Sequence, residues 1–158
     1  MILVPKIEMI AEKKLVGNHI KLSFSKYDVT PLWRGFGPKR KEIKNATSTD
    51  LISISIYPPR YFTDFNPTNI FEKWATVEVL NFDGVPDGME TFVLPSGLYA
   101  VFSYRGLNTD HSIFEYIYKS WLPNSPYRLD DRPHFEVLGA KYKNNDPTSE
   151  EDIYIPVI

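Results

Sequence analysis

Hydrophobic and polar positions along this chain run through the same order twice. Residues 15–24 alternate, with Val16, Asn18, Ile20, Leu22 and Phe24 on one face and Leu15, Gly17, His19, Lys21 and Ser23 on the other. That period of two predicts a strand. A helix is predicted over 30–43, with Thr30 as N-cap, Pro31 in the first helical position, and Leu32, Phe36 and Ile43 along one face. Gly35 and the pair Gly37-Pro38 predict a kink or break near Pro38. Strands are predicted over 51–57 and 74–80. The order then recurs as a strand over 98–104, a helix over 110–122, and strands over 135–142 and 153–157. The offset is roughly 80 residues, too long for a solenoid repeat and suited to a two-fold pseudo-symmetric domain.

The patterning also assigns faces. Ile52, Ile54 and Ile56 oppose Ser53, Ser55 and Tyr57, and Pro58-Pro59 stops that strand. Residues 60–69 form a turn-rich excursion of a length that is often functional or mobile. Ala75, Val77 and Val79 oppose Trp74, Thr76, Glu78 and Leu80. If the aliphatic side meets the helices, Trp74 and Glu78 look together into the space beyond the sheet. Tyr99, Val101 and Ser103 oppose Ala100, Phe102 and Tyr104. In the second helix, capped by Thr109 or Asp110, a stripe of Ile113, Phe114, Ile117, Tyr118, Trp121 and Leu122 faces inward, and Leu122-Pro123 ends it. Ser112 with Glu115 would form a capping box if the helix starts slightly later. The expected fold class is α+β: a tandem βαββ pseudo-repeat whose antiparallel sheet carries two main helices on one face. One domain spans 1–158, with pseudo-repeats over about 5–82 and 90–158. The seam between similar halves is where a central ligand cleft is expected.

Charge and composition narrow the function. The net charge is −2, from 18 basic and 20 acidic residues. The one basic cluster, Lys39-Arg40-Lys41, falls late in the first helix, where cations suit the helix dipole. Nucleic acid is therefore not an expected partner of this chain by itself, because phosphate binding needs clustered Lys and Arg. The sequence has no apolar run of transmembrane length, so no membrane partner is expected. Cysteine is absent, which excludes disulfides and thiolate chemistry and fits a cytoplasmic location. The 15% aromatic content, with three Trp, ten Tyr and ten Phe, suits either a Tyr-rich sheet or a pocket that grips flat ligands.

Glu136 is the first candidate for site chemistry. It lies in an apolar strand between Phe135 and Val137, on the face of Leu138. A carboxylate there either faces solvent or is partly desolvated, and desolvation favours its neutral form unless a cation is near. A buried carboxylate among aromatics would receive a lipophilic cation, through Coulomb attraction at low dielectric and cation–π contact. Glu78 carries the same argument beside Trp74, or is an ordinary salt bridge to a neighbouring strand. Two carboxylates in one cleft could also do acid–base work. Tyr57, Tyr99 and Tyr104 are the further strand candidates for a pocket. His19, His111 and His134 lack metal-ligand spacing, and His111 and His134 read as structural. No cofactor and no metal are expected.

Several segments carry a family resemblance: 97–102, Arg105-Gly106, 121–125, 131–137 and 151–157, with 71–79 in the first half. Together they resemble the GyrI-like family, the small-molecule effector-binding domains also found at the C-termini of AraC-type and MerR-type transcription regulators. The resemblance covers nearly the whole chain. It implies a tandem βαββ fold with a central cleft, and binding there of hydrophobic, often cationic aromatic compounds. The family's acidic pocket residue falls in its Phe-Glu-Val motif and so corresponds to Glu136. The tyrosine usually two positions later is Leu138 here. Every regular element is assigned to the repeat, so a stand-alone effector-binding domain without a helix-turn-helix is expected. Some relatives hydrolyse reactive cyclopropane compounds. The alternative reading is accordingly a hydrolase using Glu136 and Glu78, with Trp74 beside them. A further alternative is a protein partner, as in inhibition of a DNA-processing enzyme, supported only by the family name and the acidic runs Asp130-Asp131 and Glu150-Glu151-Asp152.

Overall fold

Alternation, turn residues and capping acids divide the chain much as its pattern predicts. A computed structural model describes residues 3–158. They form β1 (Lys6–Ile10), β2 (Lys13–Leu22), α1 (Thr30–Phe36), β3 (Leu51–Ile56), β4 (Phe71–Glu78), β5 (Glu90–Leu94), β6 (Gly97–Arg105), α2 (Ser112–Tyr116), α3 (Leu122–Asn124), β7 (His134–Leu138) and β8 (Glu150–Pro156). The break expected near Pro38 occurs at Gly37, where α1 tightens into a 3₁₀ segment, Gly37–Glu42. A wide π turn, Ile117–Trp121, joins α2 to α3. Pro123 lies inside that last turn rather than beyond it, because the first turn of a helix tolerates a missing N–H. Both main helices start alike. Asp28 accepts the Thr30 N–H at 3.0 Å and Asp110 accepts the Ser112 N–H at 2.9 Å, so the capping acid lies two residues before each helix. Thr30 is thus the first helical residue and not the cap.

All strand pairs are antiparallel in one sheet of order β1-β6-β8-β7-β3-β4-β2-β5. The order is symmetrical about the β7–β3 pair: β6-β8-β7 on one side answers β2-β4-β3 on the other. Strand β1, which the alternation did not predict, caps one edge on β6; β5 caps the other on β2.

Residues opposite one another across a strand pair share a face. On the face bearing the helices, Val16, Ala75 and Val77 pack under Leu32 and Phe36 of α1. Ala100, Phe102, Ile153 and Ile155 pack under Ile113 and Ile117 of the second helix. The opposite face forms a cluster of Leu15, Ile52, Ile54, Trp74, Leu94, Tyr99, Val101 and Phe135. Leu94 belongs to an edge strand and Tyr99 to the strand next to the other edge, yet both fall in this one cluster and only Pro95 and Ser96 separate β5 from β6, so the sheet curls into a half-barrel. Each large apolar side chain buried this way contributes about 1.5–3 kcal/mol.

An arginine clamp fixes the entry to β7. The Arg132 guanidinium bonds to Asp130 (2.5 Å) and to the carbonyls of Leu98 (2.6 Å) and Val157 (3.2 Å). It lies 4.7 Å over the Tyr99 ring, and the Tyr99 hydroxyl donates to the Pro133 carbonyl at 2.8 Å. A Cβ on Gly97 would fall 2.1 Å from this guanidinium. Gly97, Tyr99 and Arg132 therefore act together to place the strand that carries Glu136.

Candidate functional site

Between the two helix-covered cores, the helix face of the sheet turns polar. Register sets Ser53 opposite Glu136, Ser55 opposite His134 and Lys73, and Glu136 opposite Ile153. Tyr104 pairs with Glu151, and Glu151, two residues before Ile153, shares its face. The strip thus contains Ser53, Ser55, Lys73, Tyr104, His134, Glu136, Leu138 and Glu151. Ser53, Ser55, Lys73 and His134 are buried, while Glu136 and Glu151 are half-buried.

Three charged groups share this strip. The Lys73 ammonium donates to the Ser55 hydroxyl at 2.9 Å. Burial raises the Glu151 carboxyl to about 8, and the neighbouring Glu136 carboxylate and a hydrogen bond shared with it add to the effect; Lys73 opposes it. The Glu151 carboxyl therefore keeps its proton at neutral pH, facing the same strip as Glu136.

Aromatic rings close the strip at one end. His134 is hydrogen-bonded through Nδ1 to the Tyr118 hydroxyl at 2.9 Å, and burial lowers it to about 3, keeping the imidazole neutral. Burial pushes Tyr57 and Tyr118 well above the ordinary phenol value, and the charge of Glu136 adds to both shifts. Ser55, Tyr57, Phe114, Tyr118, His134 and Glu136 line a cavity of about 20 Å³, room for about one water.

The residues singled out from the sequence divide between the two faces. Glu136, Leu138, Tyr57 and Tyr104 lie on the helix face. Trp74, Glu78 and Tyr99 lie on the other. There Trp74 stacks on His19 at 4.3 Å, Glu78 is ion-paired to Lys13 at 3.5 Å, and Tyr99 is fully buried. Glu78 and Glu136 thus do not share a cleft, and the second carboxylate beside Glu136 is Glu151. Tyr104 is buried with its hydroxyl committed to the Leu107 carbonyl at 2.9 Å. In the sequence Glu151 stands only as part of an acidic run, and His134 reads as structural. The period-two pattern of β8, with Glu151, Ile153 and Ile155 on one face, was the signal available for Glu151. Among the described residues no group of three or more His, Cys, Asp or Glu is arranged to hold a metal, and no helix is long and apolar enough to cross a membrane.

Residues 6–157 match the family described as Cass2, integron-associated effector binding protein. The chain belongs to this family. As a Cass2-family member it is also 29% identical, over 128 residues, to the transcriptional regulator BrlR of Pseudomonas aeruginosa. That match covers 80% of this chain and 45% of the regulator, so the chain spans about half the length of this relative. Its fold is shared by the C-terminal domain of EcmrR (TM-score 0.71, 15% identity, 100% of this chain and 99% of that one). It is shared too by SAV2435, solved bound to tetraphenylphosphonium (TM-score 0.68, 16% identity, 98% and 93% covered). The chain thus has the fold of these two structures and belongs to a family described as effector binding proteins.

Proposed function

We propose that this chain captures a hydrophobic aromatic cation on the helix face of its sheet, with the Glu136–Glu151 pair as counter-charge and Tyr57, Tyr118 and Phe114 as the apolar walls. The observation that carries this reading is the placement of the two carboxyls: Glu136 in β7 and Glu151 in β8 are half-buried on one face of adjacent strands, and Glu136 borders a cavity walled by Tyr57, Phe114 and Tyr118. A cation that displaces the Glu151 proton leaves the net charge of the strip unchanged, and its attraction to the pair is strong because little water screens it. The tetraphenylphosphonium bound by SAV2435, a protein of the same fold, supports this ligand class. A carboxyl and a carboxylate side by side could also perform acid–base hydrolysis, and a hydrolase would consume the compound rather than only hold it.

Fluorescence anisotropy with rhodamine 6G, a cationic dye, tests the proposal. The expected result is saturable binding that tightens as pH rises toward 8, by up to tenfold per pH unit where one proton is released per cation bound. Glu136→Gln and Glu151→Gln should each weaken binding, and Glu151→Gln should also remove the pH slope. Equal affinity for a neutral analogue, or an unchanged slope in Glu151→Gln, would overturn it.

A further inference from the structure

The aromatic end of the site is already occupied by the chain. Phe62, on the segment that leaves β3 after Pro58-Pro59, stacks on Tyr118 at 5.0 Å and 23° and on His134 at 5.6 Å and 22°. It meets the edge of Tyr57 at 4.8 Å. These three partners also line the small cavity beside Glu136. Such stacked and edge-on contacts are the ones a bound aromatic ring would make.

The segment that delivers Phe62 is held in place at a cost. Arg60, just before it, has φ +66°, a left-handed conformation that non-glycine residues disfavour. Tyr61 is buried among Phe24, Tyr57, Phe62, Phe65 and Phe71. Its hydroxyl is buried with no hydrogen-bond partner among the described residues, so it gives up hydration without return. Swinging the segment outward would relax Arg60 and rehydrate Tyr61. Strain of this kind at a potential hinge fits a segment with two positions. Phe24, Phe65 and Ile70 around it are exposed.

We propose that Phe62 is a built-in occupant of the ligand site: a planar aromatic ligand binds by displacing its ring from the Tyr57–Tyr118–His134 cage. This deepens the proposed function and rests on it for the ligand's charge, but not for the ring site. A plug that is in place about 90% of the time weakens apparent affinity about tenfold, and its removal restores that factor.

The test compares wild type with Phe62→Ala. Toluene, a neutral ring, should raise the thermal midpoint of Phe62→Ala at about a tenth of the concentration needed for the same rise in the wild type. Rhodamine 6G should bind Phe62→Ala about tenfold more tightly than wild type. Phe62→Leu, which keeps apolar bulk, should show a smaller gain in both and serves if the alanine variant does not fold. If toluene stabilises neither variant, the cage is not a ring site and the proposal fails. If rhodamine 6G binds wild type and variants equally, the ligand does not displace Phe62 and the proposal also fails. If toluene stabilises Phe62→Ala while rhodamine 6G binds none of the proteins, the ring site stands and the cation reading falls.

Discussion

The pH dependence of folding stability isolates the Glu136–Glu151 pair. Glu151, beside Glu136, holds its proton to about 8, against an ordinary carboxyl value of 4.5. A group that binds a proton more tightly when folded stabilises the fold fully below its unfolded pKa, and that stabilisation is lost as pH rises through the folded value. His134 works in the opposite direction. Burial lowers it from 6.5 to about 3, so its contribution is present above 6.5 and lost as pH falls. Between 4.5 and 6.5 the two oppose, since unfolding releases a proton from the pair and takes one up at His134. Above 6.5 His134 no longer changes, and the pair is left alone with the fixed charges of Lys73 and Asp152 beside it. Tyr57, Tyr99 and Tyr118 are pushed upward and stay neutral in this range. The interval from 6.5 to 8 is worth about 2 kcal/mol at most, at about 1.4 kcal/mol per tenfold change in proton affinity. Solvent reaching the half-buried carboxyls reduces this to about 1–2 kcal/mol. Urea unfolding at pH 5.5, 6.5, 7.5 and 8.5 should therefore show a nearly flat midpoint and then a decline. Glu151→Gln should be flat above 6.5 and more stable than wild type at 8.5. A wild-type midpoint that rises above pH 6.5, or a decline of equal steepness in Glu151→Gln, would refute a proton held on Glu151 at neutral pH.

Two substitutions test the scaffold beneath the site. A Cβ on Gly17, in β2, would lie 1.8 Å from the Ala75 carbonyl oxygen. Because the obstacle is backbone of the neighbouring strand, Gly17→Ala should cost about 3 kcal/mol or more, and an unchanged thermal midpoint would show that the strands part easily. Arg132→Met leaves Asp130 and two carbonyls without their donor and should cost about 2–4 kcal/mol; a loss below about 0.5 kcal/mol, the range of an ordinary surface change, would mean that the clamp contributes little to placing β7.

The fold was legible because its periods are unambiguous. Ser-Ile alternation in β3 and the 3.6-residue stripe of α2 each leave one reading, and Pro38 and the capping acids mark where elements change. What the sequence could not carry was distance. Glu78 and Glu136 look equivalent as strand carboxylates, yet their positions in β4 and β7 put them on opposite faces of one sheet, and no local pattern gives the register between strands remote in sequence. Glu151 was hidden for a related reason. An acidic run usually marks solvent, and only pairing with β6 and β7 turns one of its members inward. Strand β1 escaped because its pattern is weak: Lys6–Ile10 has no buried position, so it is held by the edge of β6 rather than by a core of its own.

The two faces also explain why the proposed site lies where it does. On the side away from the helices the curled sheet closes on its own apolar residues, and a ligand there would have to displace core. On the helix side, α1 covers β2 and β4 while the second helix covers β6 and β8, which leaves the central β3–β7 pair between two separate apolar clusters. Buried polar groups in such a strip must find partners, and here they do so with one another: Lys73 with Ser55, Glu136 with Glu151, His134 with Tyr118. Burial keeps the proton on Glu151 beside Glu136, and the ring over His134 and Tyr118 is delivered by a segment in a disfavoured conformation. On the proposed reading an aromatic cation replaces both without breaking the sheet, since neither Phe62 nor the Glu151 proton belongs to a strand hydrogen bond. A site assembled from replaceable contacts over a fixed sheet is suited to capturing a ligand reversibly, which is what an effector-binding domain requires.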